Sequence, residues 1–329
     1  MNSNYTRLEV MHTIGQSMDE LLSKYLKPID GNWQPTDFLP DPASPDFNDE
    51  VKELQALAQD IDYDLFVVLI GNTMTEEALP TYESWLMAVD GITQEGKNGW
   101  AQWIRSWTAE ENRHGDLLNK YLYLSARVDM RAIEISTQYL ISDGLDINTG
   151  TDPYRNFVYT SFQELATNIS HRRIASIAKK TSNHKLAKMC GVIAADEARH
   201  ATAYINFVER IFEMDPNEMM LAFQDMMQKK IVMPAYCMRE EGMKVGELWS
   251  HFSDAAQRAT VYTTQDYIDI MRSLIVDWKI DSMTNLNSSG EKARDYIMKL
   301  PARMERVSER LKIPERSHEF KWMGGQSTF

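Results

Sequence analysis

The chain has 329 residues, 43% of them hydrophobic and 25% charged, with a formal net charge of −13. That acidity excludes phosphate-backbone binding as a main activity, because nucleic-acid recognition needs a basic face. The roughly 20-residue apolar run that a membrane helix needs is missing, and two cysteines, Cys190 and Cys237, are too few for a disulfide framework.

Apolar residues recur with helical period along nearly the whole chain, which predicts an all-α protein. A first helix is expected over 7–26, followed by a proline-rich strap over 33–45. Further helices are expected over 48–59 and 62–89. The second of these contains Pro80, which has no N–H to offer the carbonyl of Glu76 four residues back. A kink or π-bulge is therefore predicted over 74–82, turning Glu76 inward. The pattern continues with helices at 100–124, 130–142, 153–179 and 184–212. Then comes 215–230, with Asp215 and Pro216 in the N-cap and N1 positions. Helices at 255–283 and 290–311 precede an irregular tail. No linker divides the chain, so a single domain is expected: 1–47 helix and strap, 48–212 core bundle, 213–311 added helices, 312–329 tail.

One pattern occurs twice. Glu76 precedes Glu111-x-x-His114 by 35 residues (111 − 76), and Glu164 precedes Glu197-x-x-His200 by 33 (197 − 164). Both Glu-x-x-His pairs interrupt buried helical stripes: Trp100, Trp103, Trp107 before the first, and Leu186, Met189, Ile193 before the second. Ionised carboxylates are costly there unless paired or bound to metal. The same spacing at Glu9/His12 lies off its stripe, and Glu315/His318 follows Pro314 in a polar tail; both are expected to be solvated or locally paired.

Four carboxylates and two imidazoles drawn from four helices form the ligand set of a dinuclear site in a ferritin-like bundle. The order, lone Glu then Glu-x-x-His twice over, implies two helix hairpins about a pseudo-twofold axis. Such oxygen-rich donors suit iron or manganese better than zinc, and four glutamates balance two divalent cations. Asp196, beside Glu197, is the expected acceptor for the second ring nitrogen of His114. Competing readings stay open. Arg113 and Arg199, about 100° from each histidine on the helix, could complete structural ion networks without metal. A ferritin-like protein could also store iron without catalysis, or generate a radical at Tyr204.

The segments TEEALPTY (75–82), WTAEENRHGDLLNKYLYLSARVDMR (107–131), YTSFQELAT (159–167) and AADEARHATAY (194–204) carry a closer resemblance. With WQPTDFLPDP (33–42) and KKIVMPA (229–235), the chain resembles the soluble, plastid stearoyl-type acyl-[acyl-carrier-protein] desaturases along nearly its whole length. The resemblance implies two iron ions, ferrous when reduced, held by Glu76, Glu111, His114, Glu164, Glu197 and His200. It makes Thr167 the hydroxyl facing oxygen, and Trp33 and Asp196 an electron route to His114. It implies insertion of a cis double bond into an acyl chain on acyl carrier protein, with dioxygen as oxidant and ferredoxin as reductant. A homodimer is implied too, in the cytoplasm, or in the plastid stroma if a transit peptide has been removed. Another di-iron oxidase or hydroxylase on the same bundle is the alternative. Trp85, Val89 and Asn156 are the implied pocket residues. Trp85 and Asn156 replace a Met and a Gly at its deep end, which predicts an acyl chain shorter than eighteen carbons. The segment 90–99 and the tail 321–329 depart from the plant pattern. Because acyl carrier proteins and ferredoxins are acidic like this chain, docking needs local basic patches: Lys229 with Lys230, 239–244, or Arg303, Arg306 and Arg310.

Overall fold

The computed structural model describes residues 6–92, 99–315 and 318–324. The loop departure at 93–98 and the last five residues of the tail, 325–329, lie outside the described residues. Thirteen α-helices and no strand occur among the described residues. They are α1 (Arg7–Gly15), α2 (Met18–Tyr25), α3 (Phe47–Gln59), α4 (Tyr63–Glu77), α5 (Leu79–Leu86), α6 (Gly99–Ser125) and α7 (Met130–Asp143). After these come α8 (Pro153–Lys180), α9 (His184–Met214), α10 (Pro216–Lys229), α11 (Trp249–Arg258), α12 (Thr264–Asp277) and α13 (Ser288–Ser308). Among these residues no helix is long and apolar enough to cross a membrane.

Three predicted helices are broken in the structure. The helix expected over 7–26 divides at Ser17, whose hydroxyl donates to the Ile14 carbonyl at 2.9 Å, competing with the helical ladder. The one expected over 62–89 is neither straight nor π-bulged. It ends at Glu77 and restarts at Leu79, and Ala78 between them has φ −76° and ψ 10°. Pro80 is the cause, and the Tyr82 hydroxyl recovers part of the lost bonding by donating to the Thr75 carbonyl at 2.9 Å. The third, expected over 255–283, splits into α11 and α12. Thr260 there adopts φ 56°, and Thr263 opens α12 with a capping box. Asp215 holds the N-cap position of α10 without capping through its side chain, because its carboxylate accepts from the Tyr154 hydroxyl at 3.1 Å.

Helices α4, α6, α8 and α9 carry the two motif copies, with α4 packed on α6 and α8 on α9. Their apolar faces feed two separate clusters. One contains Trp103 and Trp107 of α6, Phe162 of α8 and Tyr204 of α9. The other contains Met74 of α4, Leu118 of α6, Ile174 of α8 and Ile193 of α9. Helices α6, α8 and α9 pass from one cluster to the other across their acidic residues, and α4 packs in the second cluster and ends beside Glu76, so the carboxylates form a thin polar layer between two dry cores. The described tail is irregular, as predicted, but not loose. Trp322 is fully buried, and its indole N–H donates to Ser136 Oγ at 2.9 Å.

Gly115 brings α6 against the break after α4: a Cβ there would stand 3.1 Å from the backbone carbon of Glu76. Alanine gains about 1 kcal/mol of helix propensity but overpacks the contact at a cost of about 1–3 kcal/mol. Gly115→Ala is therefore expected to destabilise the protein by about 1 kcal/mol. A thermal melt at or above that of the parent chain would contradict this packing.

Candidate metal centre

Each of the four helices contributes carboxylates to the polar layer, and α6 and α9 add the histidines. His114 and His200 are fully buried, with ring centroids 6.2 Å apart. Their Nδ1 atoms face inward. His114 Nδ1 lies 3.2 Å from both Glu111 Oε2 and Glu197 Oε1, and 3.7 Å from Glu76 Oε2. His200 Nδ1 lies 2.6 Å from Glu111 Oε1 and 3.7 Å from Glu164 Oε2. These contacts lack hydrogen-bond geometry: Glu111 Oε1, Glu164 Oε2, Glu197 Oε1 and both Nδ1 atoms are buried without partners. Donor atoms of Glu76, Glu111, His114 and Glu197 lie within 4.8 Å of one another, as do those of Glu111, Glu164, Glu197 and His200. Two overlapping groups of four thus share Glu111 and Glu197. Orphaned acceptors converging in this way fit two adjacent metal ions, which would satisfy them all.

The outward Nε2 atoms meet acids from the opposite motif copy. His114 Nε2 faces Asp196 Oδ2 at 3.5 Å, and His200 Nε2 bonds Glu110 Oε2 at 3.0 Å. Sequence reasoning found Asp196 but missed Glu110. The signal was present, since each acid immediately precedes the glutamate of its Glu-x-x-His pair. Arg199 joins the halves by donating to both Glu110 and Asp196. Arg113 lies 3.6 Å from Asp196 and stacks over Trp33, 4.9 Å from the ring centroid. Both arginines brace the layer from outside and do not enter it. Trp33 donates its indole N–H to Asp196 Oδ2 at 2.9 Å and lies parallel to His114, ring centroids 6.0 Å apart.

Two more neighbours escaped the sequence. Buried His171, two turns beyond Glu164, bonds Glu76 Oε1 at 3.0 Å, and Trp107 donates to Glu164 Oε1 at 3.2 Å. Thr167 Oγ1 lies 2.7 Å from Glu197 Oε2. Tyr204 is core: its hydroxyl accepts from the Trp103 indole at 3.3 Å within an aromatic stack. The outer pairs stand apart from the layer. Glu9 completes the capping box of α1, His12 contacts Gln16 at 3.1 Å, and His318 stacks on His251.

Electrostatics follow from burial. Desolvation pushes the Glu111 carboxyl up, but the charges of His114 and His200 outweigh it and hold it low. Desolvation also dominates at Glu164, and with the charges of Glu197 and Glu111 it keeps this carboxyl well above its ordinary range. Burial pulls both imidazoles down, yet Glu111 and neighbouring acids raise them well above normal. Burial therefore favours the neutral form of Glu164, and the surrounding acids favour the charged forms of His114 and His200.

A cavity of about 60 Å³ opens beside the layer, walled by Thr75, Trp85, Trp107, Tyr159, Gln163 and Thr167. Trp85 stands edge-on to Tyr159, with centroids 5.9 Å apart. Val89 and Asn156, expected as pocket residues, do not line this cavity. Asn156 instead ties down the turn before α8, donating to the Asp152 carbonyl at 2.7 Å and accepting from Thr149 at 3.2 Å.

Residues 6–324 match the fatty acid desaturase family. The chloroplastic stearoyl-[acyl-carrier-protein] 9-desaturase of Ricinus communis is 52% identical over 307 residues, covering 92% of this chain and 77% of that protein. The corresponding Spinacia oleracea protein is 50% identical over 323 residues, 96% of this chain and 80% of its own length. Among solved structures, DesA2 of Mycobacterium tuberculosis H37Rv superposes with a TM-score of 0.55 at 16% identity, over 86% of this chain and 98% of that one. That likeness concerns the fold alone. With its helical bundle and paired motifs, this chain belongs to the fatty acid desaturase family, an oxidoreductase family.

Proposed function

We propose that the protein desaturates an acyl chain carried as a thioester on acyl carrier protein, using two iron ions, dioxygen and a ferredoxin-type electron donor. The convergence of orphaned buried carboxylate and Nδ1 atoms beside a mostly apolar cavity carries this reading. Glu76, Glu111, His114 and Glu197 would hold one iron, and Glu111, Glu164, Glu197 and His200 the other. Bound iron supplies the oxidising power that unactivated C–H bonds require. Two electrons and two protons leave adjacent methylenes, two electrons come from the donor, and dioxygen with four protons becomes two waters.

The protein's own residues orient and insulate. Asp196 and Glu110 fix each imidazole with Nε2 outward and Nδ1 free to bind metal. Half-buried Trp33, bonded to Asp196 and parallel to His114, gives electrons a route inward. Thr167 holds its hydroxyl proton toward Glu197 Oε2 at the cavity wall. Aromatic walls exclude water and keep the chain still.

Purified protein is expected to hold two irons per chain and to convert a saturated acyl-carrier thioester to the cis alkene. An alcohol product, or protein that takes up no iron, would refute the reading. Iron competes with protons at His114, His200 and Glu164, whose raised pKa values favour the proton, so affinity is expected to fall as pH falls. Loading should release protons, readable with an indicator dye.

Trp85 closes the cavity against Tyr159, so a sixteen-carbon chain is expected to turn over faster than an eighteen-carbon one. Trp85→Met should reverse or level that preference. Equal or better turnover of the longer chain by the parent protein would remove the argument.

Docking of an acidic carrier falls to local charge. Lys229 is paired with Asp225 at 2.8 Å and Arg239 with Asp143. Exposed Lys230 has no ion-pair partner among the described residues and lies on the segment leading to Met233 and Pro234. Lys230→Glu is expected to raise KM for the acylated carrier several-fold at low salt and to lose its effect at high salt. An unchanged KM at low ionic strength would exclude this surface. A homodimer is part of the same proposal, read by solution mass.

A further inference from the structure

A second cavity, of about 80 Å³, lies between α4, α8 and α11 and shares Thr75, Gln163, Thr167 and Pro234 with the first. The two adjoin at these residues, and the second has none of the layer's glutamates in its wall. Half-buried Met233, Trp249 and Ser253 line it as well, so the second cavity lies toward the surface.

The polar groups in this chamber are unequally satisfied. Asn72 donates to Ser170 Oγ at 2.9 Å, and Thr75 donates to the Asn72 carbonyl at 2.9 Å. Thr167 is occupied with Glu197. The Tyr262 hydroxyl and the Gln163 side-chain oxygen remain, both buried and both without a hydrogen-bond partner. A buried, unpaired polar atom is costly and is retained where a ligand completes it. One phenol that can donate and one amide oxygen that must accept complement a ligand carrying a carbonyl and an N–H a few bonds apart. Apolar Phe252, Met233 and Trp249 suit the methylenes between them.

We propose that Tyr262 and Gln163 form a hydrogen-bonding station for the thioester carbonyl and adjacent amide of the carrier's arm, fixing how far the acyl chain advances past the irons. This rests on the desaturase reading above, since only a thioester-linked chain places those groups behind the reacting methylenes. Tyr262 is here a positioning residue: it sets register and takes no part in bond breaking.

The test compares the parent protein with Tyr262→Phe, which removes only the hydroxyl. Binding is measured to acyl carrier protein bearing its acylated arm and to carrier lacking the arm, together with the melting temperature and the double-bond position. The variant is expected to bind the acylated carrier on the order of 5-fold more weakly, the worth of one hydrogen bond. Affinity for the arm-less carrier should not change. Product should spread to a neighbouring carbon, and the melt should equal or exceed the parent's because an unpaired buried hydroxyl is gone. Equal affinity for the acylated carrier with a single product position overturns the station and leaves the desaturase reading standing. So does an equal loss for both carriers, which would place the effect at the docking surface. A parent protein that binds no acylated carrier overturns both.

Discussion

The cost of keeping four glutamates dry governs this molecule. An effective penalty of several kcal/mol per buried charge cannot be left unmet in a protein whose net stability is of order 10 kcal/mol. Two apolar cores press on the layer from either side, so water cannot solvate the carboxylates. Compensation has to come from within. The raised proton affinities of His114, His200 and Glu164 supply part of it, and Glu110, Asp196, Arg113 and Arg199 form a second ring of charge outside. Divalent metal would supply the inner positive charge, while the outer ring would stay as it is.

The two motif copies lock together through that outer ring. Each imidazole faces an acid from the other copy: His114 Nε2 stands 3.5 Å from Asp196 on α9 as an ion-pair contact, and His200 Nε2 bonds Glu110 on α6 at 3.0 Å. The exchange ties the tautomer of either histidine to correct packing of α6 against α9. The facing acid is shorter in one copy than in the other, and the surroundings differ too. Asp196 meets Trp33, whereas Glu110 Oε1 accepts from the backbone N–H of Lys27 at 2.6 Å and from Asn32 at 3.3 Å. One face of the layer is thus backed by an aromatic ring with a path outward, and the other by main-chain and amide donors. Residues 27–33, leading into the N-terminal strap, supply both, so a segment remote in sequence gives the two histidines different environments.

Legibility in sequence followed the physics of period and burial. The helices bearing the acids were readable because a stripe of period 3.6 interrupted by Glu and His is improbable unless the interruption is used. Asp196 was readable from the chemistry of ligand histidines; Glu110 was equally available and was passed over. His171 was not, since a lone buried histidine carries no pattern of its own. Breaks at Ser17 and Thr260 depend on side-chain hydroxyls and on a left-handed backbone that periodicity does not report. Asn156 was assigned to the pocket by resemblance, but an amide can satisfy a turn, and here it does. Trp322 was hidden in a polar-looking tail because its burial depends on where Ser136 stands.

Pro80 connects the two halves of the site. By ending α4 at Glu77 it leaves Glu76 on the last turn, facing the layer, and redirects α5 so that Tyr82 and Trp85 face the cavity instead. The Tyr82 hydroxyl then returns to the Thr75 carbonyl and fixes the angle between the helices. A continuous helix would carry Trp85 further along the axis of α4, away from Tyr159 on α8. Gly115 completes the joint, because only a residue without Cβ lets α6 approach the broken strand of backbone so closely. The same local defect therefore sets the position of one carboxylate and the depth of the slot beside it. In this chain, the place of Glu76 in the carboxylate layer and the place of Trp85 against Tyr159 are coupled through eight residues, 75–82.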